Sequence, residues 1–143
     1  MATVVDCARE RVWRALTEPA ELIRWDERIL SLERPKPGSP EHDTRWRYRL
    51  GSVPVDLVEE PLEIVTGQRL RSAKSMGAFR FEETYTLTDE GQARTHLSLR
   101  LAAASNRIPV VGGALDRFDV RRLATELVDD RLRQVQKWCE NHP

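Results

Sequence analysis

The chain has 143 residues, the size of one domain that can bury a core without metal or disulfide support. Lys plus Arg and Asp plus Glu both number 23, so no global field draws it to nucleic acid or to an anionic membrane. No apolar run approaches the ~20 residues that span a bilayer and no secretory h-region precedes Cys7 or Cys139, so free thiols in a reducing, cytoplasmic setting are expected.

Taken in order, residues 2–6 read as a short strand, with Asp6 placed to cap a helix through Val12, Trp13 and Leu16. Thr17 ends that helix and stands where it would cap a second, whose early turn carries Pro19 and which runs through Leu22, Ile23 and Trp25. Residues 28–34 resume strand character until Pro35, Pro37, Gly38 and Pro40 break the chain into a loop. From Thr44 to Ala103 the apolar period is two, punctuated by Gly51-Ser52, Gly67-Gln68, Gly77 and Asp89-Glu90-Gly91, which predicts an antiparallel meander. Pro61 has no amide hydrogen and belongs at an edge or a bulge. A linker through Pro109 and Gly112-Gly113 then leads to the longest element, Asp116 to Glu140, free of proline and glycine.

In that last stretch Phe118, Val120, Leu123, Ala124, Leu127, Val128, Leu132, Val135 and Trp138 recur at helical spacing. Arg117, Arg121, Arg122, Glu126, Asp129, Arg133 and Lys137 form its charged outer face, with Asp129 and Arg133 four apart for an ion pair. Roughly 37 Å of helix at 1.5 Å per residue exceeds what a short helix can cover, so its stripe needs a sheet. The predicted fold is α+β. A curved antiparallel sheet of six to seven strands wraps around the C-terminal helix, two short helices follow the first strand, and residues 1–143 form a single domain.

The run Val12-Trp13-Arg14-Ala15-Leu16-Thr17-Glu18-Pro19-Ala20-Glu21-Leu22-Ile23-Arg24-Trp25 resembles the opening of the START-like helix-grip superfamily, in particular its polyketide cyclase/dehydrase-like branch. Val111-Gly112-Gly113 is similar to the joint that precedes that family's long final helix. The resemblance covers essentially the whole chain. It implies a deep cavity between sheet and helix, which takes sterols, lipids, polyketides or plant-hormone-like molecules in different members. It carries no universal catalytic motif, so binding or transfer of a small hydrophobic ligand leads, and a cyclase or dehydratase using the same cavity is the alternative. Chaperone activators share the fold, which leaves a chaperone- or membrane-associated adaptor with a protein partner as a third reading.

Strand alternation then nominates the cavity wall. If Trp46, Tyr48, Leu57, Leu70, Phe79, Phe81, Tyr85, Leu97 and Leu99 face inward, so do Glu59, Lys74, Met76 and Glu83, while Phe118 approaches from the helix. The expected ligand-binding set is Trp46, Tyr48, Leu57, Lys74, Met76, Phe81, Glu83, Tyr85, Leu99 and Phe118; no catalytic residue is assigned, Glu83 with Lys74 being the candidates if the protein is an enzyme. Glu83, flanked by Phe81 and Tyr85, needs a partner if buried, and Lys74 is the candidate; the competing expectation is an ion pair at the open edge of the sheet. The aromatic rings serve equally as ligand platforms or as core. An apolar cavity of ~300 to 1,000 Å³ is expected.

Elsewhere the sequence argues against other chemistries. His42, His96 and His142 share no metal spacing, and Cys139-x-x-His142 supplies an incomplete ligand set, so neither metal nor cofactor is assigned. No serine elbow, phosphate loop or dinucleotide fingerprint occurs. Arg45, Arg47 and Arg49 alternate with Trp46 and Tyr48, which puts cations and rings on opposite faces and makes a solvated strand, not a nucleic-acid platform.

Overall fold

Ten elements follow one another in the computed structural model: β1 (Ala2–Val5), α1 (Arg9–Thr17), α2 (Pro19–Trp25), β2 (Ile29–Glu33), β3 (Thr44–Leu50), β4 (Val53–Val65), β5 (Arg69–Met76), β6 (Phe79–Asp89), β7 (Thr95–Ala103) and α3 (Arg117–Asn141). The structure describes residues 1–33, 44–50, 52–76, 79–103 and 117–143, and only the backbone of Glu33, Leu50, Phe79, Ala103 and residues 117–123. The proline-rich loop, His42, Gly51, Gly77, the Gly112-Gly113 joint and Asp116 lie outside the described residues, as do the side chains of Phe79, Phe118, Val120, Leu123, Arg117, Arg121 and Arg122.

The strands form one antiparallel sheet in the order β1-β7-β6-β5-β4-β3-β2. Consecutive strands from β2 to β7 are neighbours, as short turns between period-two runs dictate. The first strand alone travels, to pair with the last. Gly67 at φ 73° and Gly91 at φ 84° hold turn positions that side-chain-bearing residues rarely adopt. The β6–β7 turn is wider than its Asp89-Glu90-Gly91 signal suggests, closing where Glu90 N–H donates to Arg94 O at 3.0 Å. Pro61 does sit at a bulge: the β4–β5 register shifts between Pro61 and Glu63.

Two helix-start expectations are corrected. Asp6 does not cap α1; the N-cap is Ala8, and Asp6 instead takes a 2.8 Å hydrogen bond from Arg94 Nε. Thr17 belongs to the last turn of α1, where its hydroxyl donates to Trp13 O at 2.8 Å, and Glu18 occupies the N-cap of α2 without a side-chain bond. A hydroxyl one turn past a carbonyl bonds backwards more readily than it reaches the next helix. Trp25 braces the two helices by donating its indole N–H to Ala15 O at 2.7 Å.

Two apolar clusters result. The larger joins Val12 and Leu16 of α1, Leu87, Leu97 and Leu99 of the sheet, and Val128, Leu132, Val135 and Cys139 of α3. The smaller holds Trp46, Tyr48 and Leu57, with Leu22 packing against both. Alternation is obeyed on β3, since Arg45, Arg47 and Arg49 are exposed while Trp46 and Tyr48 are buried. On the outer face of α3, Arg133 meets Asp129 at 2.6 Å, as the spacing predicts. Cys7 and Cys139, from opposite ends of the chain, meet in the larger cluster, where the Cys7 thiol donates to Cys139 O at 2.8 Å and both thiols are free. His142, four residues after Trp138, stacks its ring on that indole at 3.7 Å.

Candidate functional site

Between the two apolar clusters lies a buried ionic network. It is built across β4, β5 and β6 by register: Glu59 is directly opposite Lys74, and Glu83 lies diagonally from it, two positions beyond Lys74's partner Phe81. Lys74 Nζ stands 2.9 Å from Glu83 Oε1 and 3.6 Å from Glu59 Oε2. Lys74 and Glu83 are each only 5% exposed, which removes the expectation of an ion pair at an open sheet edge. Ser72 donates to Glu59 at 3.3 Å.

Arg131 of α3 closes the network from above. Its Nε donates to Tyr85 Oη at 2.8 Å and stands 3.8 Å from Glu83 Oε2. Its Nη1 donates to Asp26 Oδ2 and, more weakly, to Tyr48 Oη at 3.4 Å. The guanidinium also lies over the rings of Trp25, at 5.2 Å, and Tyr85, at 6.0 Å. Asp26, the C-cap of α2, is 1% exposed and takes a further 3.1 Å bond from Arg28 N–H at its other oxygen. Its two neighbours in sequence extend the seam: Glu27 N–H donates to Gln134 Oε1 at 3.1 Å and Arg28 Nε meets Asp130 at 3.3 Å.

The charges sustain one another. Burial by itself disfavours the Lys74 ammonium, yet the Glu83 and Glu59 carboxylates outweigh it and raise its pKa above the usual lysine value. Burial likewise pushes the Glu83 carboxyl up, but the Lys74 and Arg131 charges prevail and hold it below the usual carboxylate range. Arg131, penalised by burial and supported by Tyr85, Asp26 and Glu83, stays cationic. Burial raises both phenols, Tyr48 and Tyr85, against the lowering influence of Arg131. At neutral pH the site therefore contains fixed ions and protonated phenols.

Two small cavities adjoin the network, of about 20 and 30 Å³. Trp46, Tyr48, Leu57, Lys74, Glu83 and Tyr85 of the expected set line the first, with Asp26, Glu59, Leu70 and Arg131. Met76 and Phe81 line the second, with Leu101 and Leu127. Tyr48, Leu57, Lys74, Glu83 and Arg131 belong to both and form the wall between them. Leu99 reaches neither; it is 1% exposed in the larger apolar cluster. The side chain of Phe118 lies outside the described residues.

The expected volume is not met among the described residues, where the space is enough for one or two waters; Asp26, Glu59, Lys74, Glu83 and Arg131 make the first cavity about as polar as apolar, while Leu57, Met76, Phe81, Leu101 and Leu127 keep the second mostly apolar. Long polar side chains from both layers occupy the volume that alternation reserves for a ligand. Arg131 and Asp26 were not anticipated. One signal was available for Arg131: it follows Leu127 by four and Val128 by three and precedes Val135 by four, so it fills a position of the apolar stripe itself. Nothing in the sequence marks Asp26, whose burial depends on the angle between α2 and β2.

Comparison with known proteins agrees with this architecture. A family model described as polyketide cyclase / dehydrase and lipid transport matches residues 1–140. A START superfamily protein from Mycobacterium smegmatis superposes with a TM-score of 0.79 at 15% identity, covering 100% of this chain and 97% of that one. The Zhui aromatase/cyclase from Streptomyces gives 0.78 at 12% identity, covering 98% and 91%. A Thermus thermophilus protein gives 0.71 at 26% identity, covering 97% and 94%. No curated protein matches the sequence.

Proposed function

Because the chain belongs to the polyketide cyclase/dehydrase and lipid transport family, we propose that it binds a small, largely apolar molecule between the sheet and α3, polar end against Lys74, Glu83 and Arg131. One observation carries this reading. Two cations, two buried carboxylates and two phenols occupy the centre of the molecule, around cavities, where apolar side chains of similar volume would hold the fold at least as well. An ionic centre of this kind is useful when something polar must be received there. The shared lining supplies the means: Tyr48, Leu57, Lys74, Glu83 and Arg131 face both cavities, and rearrangement among them is the route by which the two would become one.

The second reading, a cyclase or dehydratase, draws on the resemblance in fold to an aromatase/cyclase and on the 2.9 Å contact between Lys74 and Glu83. Protonation states favour binding over it. General acid–base catalysis works best with a group titrating near the operating pH, whereas Lys74 is moved upward and Glu83 downward, both away from neutrality.

A neutral fluorescent probe, N-phenyl-naphthylamine, tests the proposal. Saturable binding to the native protein is expected, with loss of at least tenfold in affinity in Leu57→Trp, since Leu57 lines both cavities. Native mass spectrometry of the freshly purified protein reads the same question from the other side, as a retained adduct. No saturable binding and no adduct would reduce the ionic centre to a structural feature.

A further inference from the structure

The hydrogen bonds at the site are unevenly satisfied. Tyr85 Oη and Tyr48 Oη both accept from Arg131, so each phenol still has its own proton to give. Among the described residues no acceptor takes either proton. Arg131 directs Nε and Nη1 at Tyr85, Asp26 and Tyr48, and its Nη2 has no hydrogen-bond partner among the described residues. The indole N–H of Trp46, a residue 6% exposed that lines the first cavity, is likewise buried without a partner. Donors are therefore left over beside the first cavity: the two phenol protons, Arg131 Nη2 and the Trp46 indole N–H.

Charge limits what can satisfy them. Lys74 and Arg131 are already balanced by Glu83 and Asp26, and Glu59 adds a third carboxylate, so the centre holds no spare positive charge. A carboxylate or phosphate entering it would be a buried anion without a counter-ion, which burial strongly disfavours. A neutral oxygen with two lone pairs meets the donors at no such cost.

Resting on the binding reading above, we infer that the polar end of the site receives a neutral carbonyl oxygen, of a ketone, ester or amide, from Tyr48, Tyr85 and Arg131, and that the site discriminates against free acids. In the absence of ligand, water fits the space and the donors equally well, and the carbonyl takes its place. Tyr48 and Tyr85 come from opposite halves of the sheet, so a bound carbonyl also bridges the two apolar clusters to which they belong.

Three small probes with one ring separate the possibilities: acetophenone, benzoate and ethylbenzene, titrated at constant ionic strength and followed by amide chemical-shift changes in the intact protein. Acetophenone is expected to bind at least tenfold more tightly than either of the others, and the Tyr48→Phe/Tyr85→Phe double variant to bring it down to the level of ethylbenzene while leaving ethylbenzene unchanged. Benzoate binding as tightly as acetophenone overturns the inference, as does a ketone preference that survives the double variant. Equal binding of ethylbenzene and acetophenone removes the carbonyl while leaving the binding reading intact. Binding of none of the three removes both. The comparison of probes on the native protein stands independently of whether the double variant folds.

Discussion

Arg131 touches more of the molecule than any residue its sequence neighbours would suggest. It bonds Asp26 at the end of α2, Tyr85 of β6 and Tyr48 of β3, so a single guanidinium fastens the C-terminal helix to both halves of the sheet. Removing it leaves the Asp26 carboxyl group buried with one backbone N–H for company. Arg131→Met, close in volume, is therefore expected to lower stability by about 3 to 5 kcal/mol, read from the urea midpoint. In a cycle with Asp26→Asn the double variant should cost less than the sum of the singles by at least about 1 kcal/mol, and simple additivity would deny the coupling. The residue scale is also where the sequence was least legible. Lys74 and Glu83 could be read from strand alternation because period two assigns a face regardless of tertiary detail. Asp26 and Arg131 could not be paired in advance, because they lie 105 positions apart and meet only through the packing of two helices.

At the scale of elements, periodicity served well and capping did not. The stripe of α3 places Val128, Leu132 and Val135 in the core, and the proline of β4 marks a bulge, since a missing donor leaves few alternatives. Asp6 and Thr17 misled because their side chains have several partners within reach and local sequence does not rank them. α3 itself offers a direct test. Leu132→Asp places a carboxylate 4% exposed against the larger cluster and should cost more than about 3 kcal/mol, whereas neighbouring Arg133→Ala, on the solvent face, should stay within about 0.5 kcal/mol. Equal shifts in melting temperature would contradict the placement of the helix.

Across the whole molecule, the buried ions tie stability to pH. Glu83 binds its proton less readily folded than unfolded, so its contribution is complete above the ordinary value of 4.5 and is lost as pH falls through the lower folded value. Lys74 and Tyr85 hold theirs more firmly when folded, so their contributions are complete below 10.5 and 10.0 respectively and are lost as pH rises through the higher folded values. Melting temperature against pH should therefore be flat through neutrality and fall at both ends. Lys74→Met removes the charge that chiefly holds Glu83 ionised, and the acid limb should move to higher pH; an unmoved limb would mean that the pair is not coupled. The order of elements made the fold readable at this scale, while the size of the cavity was not, because volume is set by which long side chains turn inward. The sheet order has one more consequence, in time. β2 to β7 can assemble as successive hairpins, each closing a short loop. β1 cannot, since its neighbourhood is completed by contacts such as Thr95 Oγ1 to Cys7 O, across 88 positions, and Thr3 Oγ1 to Gln136 Oε1, across 133. β1 thus waits for β7, and until that strand has been made the edge with which it pairs is answered by solvent alone.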